Sequence, residues 1–229
     1  MSTPRRVEPE WLDVLPADDP RAQRSRRELV RVNALMANAG ILARALHSAF
    51  GGAPASLAEI GAGDGRFALR LARALGTPPA GATFTLVDRQ VTVDPEAARG
   101  LADLGWRVNA VQDDVFAWLE SADDCDAIVA NLFLHHFQPG ELDRMLHLAA
   151  KRVRAFAACE PRRSALAAAG SHLLGLVGCG EVTRHDAVVS VRAGFDGREI
   201  SALWPDAGTW VLDEGARGLF SHLFSARRK

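Results

Sequence analysis

The chain has 229 residues, 48% of them hydrophobic and 24% charged, with a formal net charge of −1. This suits a globular protein with a sizeable core, in one domain or one domain with an appended cap. It argues against nucleic acid or an anionic membrane surface as partner, and no run of about 18 apolar residues offers a transmembrane helix. Cys125, Cys159 and Cys179 lie too far apart for a CxxC pair or a metal-ligand cluster, so no metal is expected, and their odd number points to a reducing compartment. The N-terminus lacks the apolar stretch of a signal peptide, so a cytoplasmic location is expected. Tyrosine is absent, so no phenol side chain can act as a base.

In chain order, residues 1 to about 9 are polar, and little order is expected there. From Asp19 to Phe50 apolar residues recur at helical spacing. Asp19 can cap a helix with Pro20 at its first position. Leu29, Val32, Leu35 and Met36 follow, Gly40 interrupts, and Ile41, Leu42, Ala45, Leu46 and Phe50 continue the face up to a stop at Gly51-Gly52-Ala53-Pro54. Two or three helices are thus predicted ahead of the rest. They form a cap of residues 1–53 before a domain of residues 54–229.

Ser56-Leu57-Ala58 then leads into Glu59-Ile60-Gly61-Ala62-Gly63-Asp64-Gly65, and an amphipathic helix with Phe67, Leu69, Leu71 and Leu75 follows. A strand, glycine turn and helix let backbone pass close to a nucleotide-like ligand. Glycine also permits the positive φ that so tight a turn requires. A dinucleotide fingerprint would need Gly or Ala where Arg66 stands, and no Gly-Lys-Ser/Thr follows for a phosphate loop. Further on, residues 83–88, 106–112, 126–131 and 153–159 read as strands, the last stopped by Glu160-Pro161. Residues 94–104, 115–120 and 140–152 read as helical. This alternation predicts a parallel, doubly wound sheet. Residues 165–177 form a long apolar helical stretch. Residues 210–214 and 219–226, with Gly215 and Gly218 between them, suit a closing hairpin.

Asp88 ends the second strand, at the carboxyl edge where open α/β sheets bind ligands. Its carboxylate can accept both hydroxyl hydrogens of a ribose, a device that nicotinamide enzymes share. The E-x-G-x-G-x-G run at Glu59 resembles motif I of the class I S-adenosylmethionine (SAM) methyltransferases, and the resemblance extends over roughly residues 56–161. It implies a Rossmann-like, doubly wound, mostly parallel seven-stranded sheet with an antiparallel last strand. It implies SAM as cofactor and S-adenosylhomocysteine (SAH) as product. Glu59, Gly61, Ala62, Gly63 and Gly65, with Asp88 and its neighbour Arg89, would face the methionine and ribose. Asp113, Asp114 and Val115 would meet the adenine, Asp114 fitting best; a helix cap is the competing role for such an acid.

Asn131-Leu132-Phe133-Leu134-His135-His136-Phe137 resembles the family's motif IV region, beside the methyl end of the donor. Either His135 or His136 could take a proton from a substrate hydroxyl; the alternative is that the pair packs the loop. In residues 178–195, His185 beside Asp186 has the make-up of an oriented base, or of a hydrogen-bonded lid. Arg192 could neutralise a substrate carboxylate, and Asn33 or Asn38 could reach the substrate from the N-terminal helices. The reading is methyl transfer to an oxygen or carbon of a small molecule, which overall likeness makes a phenolic or polyketide-like natural product of a bacterium. A homodimer stays open. The alternatives are an NAD(P)-dependent oxidoreductase and a non-catalytic SAM-fold partner protein.

Overall fold

The computed structural model describes residues 4–16, 18–90 and 93–229, with the backbone alone for residues 30–35, 176 and 177. Seven strands form one sheet: β1 (Ser56–Ile60), β2 (Thr83–Asp88), β3 (Arg107–Gln112), β4 (Cys125–Asn131), β5 (Val153–Pro161), β6 (Trp210–Arg217) and β7 (Ser221–Arg228). Their order is β3-β2-β1-β4-β5-β7-β6. β1 to β5 run parallel, and β7 lies antiparallel between β5 and β6. The predicted architecture therefore stands, including the closing hairpin. The direction of winding reverses between β1 and β4, which makes the crevice beyond their carboxyl ends the natural ligand site.

Strand alternation divides the core in two. Leu57, Phe84, Leu86 and Val129 face α3 (Asn38–Phe50), α4 (Arg66–Leu75) and α5 (Pro95–Asp103). Ala58, Ile60, Ile128, Phe156 and Phe224 face α6 (Val115–Ser121), α7 (Pro139–Arg152) and α10 (Glu199–Leu203). Ala127 to Ala130 are completely buried, as a central parallel strand covered on both faces must be. Local signals set the helix starts. Asp94 accepts from the amides of Glu96 and Ala97 ahead of Pro95 at the first position. Gln138 and Glu141 form a capping box around Pro139.

The structure departs from the sequence expectations in several places. α2 (Pro20–Leu35) and α3 divide at Met36-Ala37 and not at Gly40, which sits inside α3; Ala37 has φ of 55°. α3 is part of the main core: Ile41, Leu42 and Leu46 pack with Leu71 and Leu57. β5 runs through Glu160 and Pro161, because β7 continues to pair with them. Residues 178–195 hold a helix, α9 (Glu181–Ala193), against which α1 (Trp11–Val14), α2 and α8 (Ala165–Leu173) pack. Residues 4–10 are docked: Arg5 Nε donates to the carbonyl of Ala193 at 2.7 Å, and the amide of Arg6 donates to the carbonyl of Arg192 at 3.1 Å. Arg5 also stacks on Phe195, 4.6 Å from its centroid. Among the described residues no helix is long and apolar enough to cross a membrane.

Candidate active site

The glycine turn after β1 is tied to β2 by the amides of Gly61 and Ala62, which both donate to the carbonyl of Val87, at 2.9 and 3.1 Å. All three glycines have positive φ, 72°, 53° and 75°, a backbone state that L side chains resist. Their surroundings differ. A Cβ on Gly61 would lie 2.3 Å from the Phe133 ring, and one on Gly65 would lie 3.2 Å from Leu86. A Cβ on Gly63 would meet nothing within 4 Å. Gly61 and Gly65 thus make room for the protein's own side chains, while Gly63 borders open space.

Asp88 holds this turn. Its Oδ2 accepts from the amide of Gly63 at 2.9 Å, and its Oδ1 from that of Gln90 at 2.9 Å. Arg89 beside it is exposed. At the next strand end, Asp113 accepts from the amide of Asp114, and Asp114 caps α6 through the amide of Phe116 at 2.9 Å. The capping role weighed for this acid is present, through Oδ1; among the described residues no hydrogen bond to Oδ2 of Asp114 is seen. Val115 behind it is buried. Arg66 pairs with Asp94 at 2.6 Å, so the residue that breaks a dinucleotide fingerprint also links the turn to the start of α5. Glu59 lies behind the turn and is 1% exposed, and its Oε2 has no partner. Burial pushes this carboxyl well above the ordinary range.

The carboxyl end of β4 is built differently. Asn131 accepts from the side chain of Asn38 at 2.8 Å, and Asn38 accepts from the hydroxyl of Ser221 at 2.6 Å. Asn38 is buried and joins α3 to β4 and β7. The side chain of Asn33 lies outside the described residues. Leu132 turns the chain with φ of 53°, and a 3-10 turn, Leu134–His136, follows. The fully buried carboxylate of Glu160 receives it, accepting from the amides of Phe133 and Leu134 at 3.1 and 3.0 Å and from Nδ1 of His135 at 2.8 Å.

His135 is 3% exposed, and its Nε2 lies 3.6 Å from Oε1 of Glu10, which itself accepts from the Ser190 hydroxyl. Burial alone would lower the His135 imidazole; Glu10 and Glu160 outweigh it and hold it at about 9. At neutral pH it is a cation, with Nδ1 bonded to Glu160 and Nε2 facing Glu10, which leaves no lone pair for an acceptor. His136 differs. Its side chain is 34% exposed, its ring lies 4.2 Å from that of His135, and its Nδ1 is 3.8 Å from Asp13. Burial and the neighbouring imidazolium lower its pKa, so near pH 7 it is neutral. Burial likewise raises Asp13. The expected His185–Asp186 pair is formed at 2.9 Å, but Asp186 is also committed to the amides of Trp11 and Leu12 at 2.8 and 3.0 Å, and His185 stacks on Trp11. Arg192 is exposed near the end of α9. Glu10, Asp13, Glu160 and Arg5 escaped sequence reasoning. Only the charge of Glu160 next to a strand could have marked it.

Residues 57–155 match the family model of the methyltransferase domain. Over that span the chain carries a methyltransferase domain. The nicotinamide and non-catalytic alternatives are set aside with that match.

Solved structures agree in fold. The methyltransferase is similar to the plantazolicin methyltransferase BpumL in complex with SAH, at 14% identity and a TM-score of 0.64 over 93% of this chain and 92% of that one. An O-methyltransferase family protein from Burkholderia thailandensis aligns at 21% identity and TM-score 0.62, over 93% of this chain and 61% of its own. Magnesium protoporphyrin IX methyltransferase from Synechocystis PCC 6803, with bound SAH, aligns at 15% and 0.55 over 87% and 84%. A comparison with curated proteins finds no matching sequence.

Proposed function

We propose that the methyltransferase methylates an oxygen, or an enolic carbon, of a small phenolic or polyketide-like molecule, with His136 as the proton acceptor. The observation that carries this reading is the state of His136: a neutral, partly open imidazole just beyond the carboxyl end of β4, the strand next to the glycine turn of β1. On this reading Gly63 offers bare backbone to the donor, Asp88 accepts from the ribose hydroxyls, and the free oxygen of Asp114 accepts from the adenine amino group. The orphaned Oε2 of Glu59 fits a cationic ligand, since an incoming positive charge compensates a buried carboxylate. When bound, SAM supplies a methyl group on a sulfonium leaving group. The protein then has to align the acceptor and take up its proton. The acceptor O–H proton passes to the lone pair of His136, and Asp13 stands by to stabilise the imidazolium.

Radiolabelled SAM, offered with a panel of phenols, enols, carboxylates and peptides, tests the acceptor class. Label in phenols or enols is expected. Label only in carboxylates or peptides would overturn it.

A further inference from the structure

Where the N-terminal strap crosses the loop after β4, Glu10, His135 and His136 each bring one ligand-type atom to within 4.8 Å of the others. Among the described residues no other three such side chains converge in this way. We propose that these residues form a binding site for a divalent cation of the imidazole-preferring class, Zn2+ or Co2+.

The two sides of the His135 ring carry the argument. On one side Nδ1 meets Glu160 at 2.8 Å, the length of a charge-assisted hydrogen bond. On the other, Nε2 faces Glu10 across 3.6 Å, too far for such a bond. Two ligand atoms on a tetrahedral Zn2+ stand about 3.4 Å apart, given metal–ligand distances of about 2.0–2.1 Å. The gap is that of a shared cation. The closed side is what a metal-binding histidine needs: a carboxylate on the far nitrogen that fixes the ring and raises its basicity. Ser190 holds Glu10 in place from behind. His136 is the third ligand, and it is partly open to solvent.

The charges agree. Asp13 adds a carboxylate 3.8 Å from His136. The nearby cation Arg5 is spent on main chain, with Nη2 donating to the carbonyls of His135 and Phe137 at 3.0 and 2.9 Å. Two imidazoles and a carboxylate with open positions form a donor set that transition metals favour over Mg2+ or Ca2+. On binding, the Nε2 proton of His135 leaves to solvent and the metal takes its place. Glu10 is thereby linked to the 3-10 turn, and the lone pair of His136 is withdrawn from the acceptor. The cation is therefore an inhibitor that locks the strap, a consequence that rests on the base assignment above; the binding itself does not.

The test titrates the chelator-treated, full-length protein with Co2+. One saturable equivalent is expected, with the visible absorption of a low-coordinate ion, a rise in Tm, and bleaching by Zn2+. Glu10→Gln and His136→Ala should abolish the absorption, and Glu160→Gln should weaken binding by about 10- to 100-fold. His147→Ala, at an exposed pair elsewhere, should change nothing. SAH calorimetry on each variant certifies its fold, and His136→Ala, at a part-exposed position, remains decisive if Glu10→Gln fails that check. No stoichiometric absorption, or absorption that survives both ligand variants, would overturn the site. Zn2+ binding without loss of methyl transfer would leave the site standing and remove His136 as the base.

Discussion

The two halves of the sheet's carboxyl edge are held together in different ways. Beyond β1, β2 and β3, side chains fasten nearby backbone: Asp88 holds the Gly63 amide 25 residues away, and Asp114 holds an amide two residues on. Beyond β4 and β5, side chains fasten one another and distant main chain. Asp186 reaches Trp11 over 175 positions, and Arg5 reaches Ala193 over 188. The first half is a local, preformed cradle with one open place, above Gly63. The second is a buried charge network that the docked strap of residues 4–14 completes, through Arg5 and Glu10. Donor binding and acceptor chemistry are therefore separable by mutation, and the predictions below are ordered by how hard they press on that separation.

The largest effect is expected from His136→Ala. Its kcat should fall by about 10²- to 10⁴-fold while SAH affinity in calorimetry stays unchanged. The acidic limb of the wild-type rate profile should lie below the ordinary histidine value of 6.5, because the pKa is lowered. Equal losses in kcat and SAH affinity would mean that the halves are not separable.

Next comes Glu160→Ala. Removing the carboxylate strands the amides of Phe133 and Leu134 and the buried cation of His135. Denaturant unfolding should show a loss of about 3–5 kcal/mol, with Glu160→Gln in between. A loss under about 1 kcal/mol would show that the network carries little of the stability.

On the cradle side the order inverts. Asp88→Ala should weaken SAH binding by about 10- to 100-fold, the worth of hydrogen bonds to a charged group, at a cost of only about 1 kcal/mol in stability. Gly63→Ala and Gly61→Ala sharpen this further. The first should mainly harm SAH binding; the second should mainly harm folding, since its methyl group would strike Phe133.

Last comes stability against pH. His135 is held at about 9 in the fold, above its ordinary 6.5. Its contribution is complete below about 6.5 and fades as pH rises through about 9. Chemical denaturation between these limits should show wild type losing stability, and His135→Gln should flatten that slope. Parallel curves would refute the buried imidazolium.

Legibility followed the same division. The glycine turn, the acid ending β2 and the acids after β3 were readable because their partners lie within the same βα unit and their residue types answer a local need. Glu160-Pro161 read as a stop, since a charge beside proline ends most strands; antiparallel pairing to β7 carried β5 through both. Gly40 read as a helix break, yet the break fell at Ala37, where Asn38 is drawn into the network with Asn131 and Ser221. The polar strap read as loose because its own composition cannot order it; Arg5 and Glu10 gain their partners from residues more than a hundred positions away.

The sequence by itself thus determined the class of fold, the order of strand and helix, and the glycine turn with its acids. Hydrophobic periodicity and turn chemistry act over a few residues and leave their mark in the chain. Which of two adjacent histidines is a buried cation and which a neutral, part-exposed imidazole was decided only by tertiary structure. Burial and the two carboxylates that face His135 come from separate parts of the chain, and no local pattern records where those parts will meet.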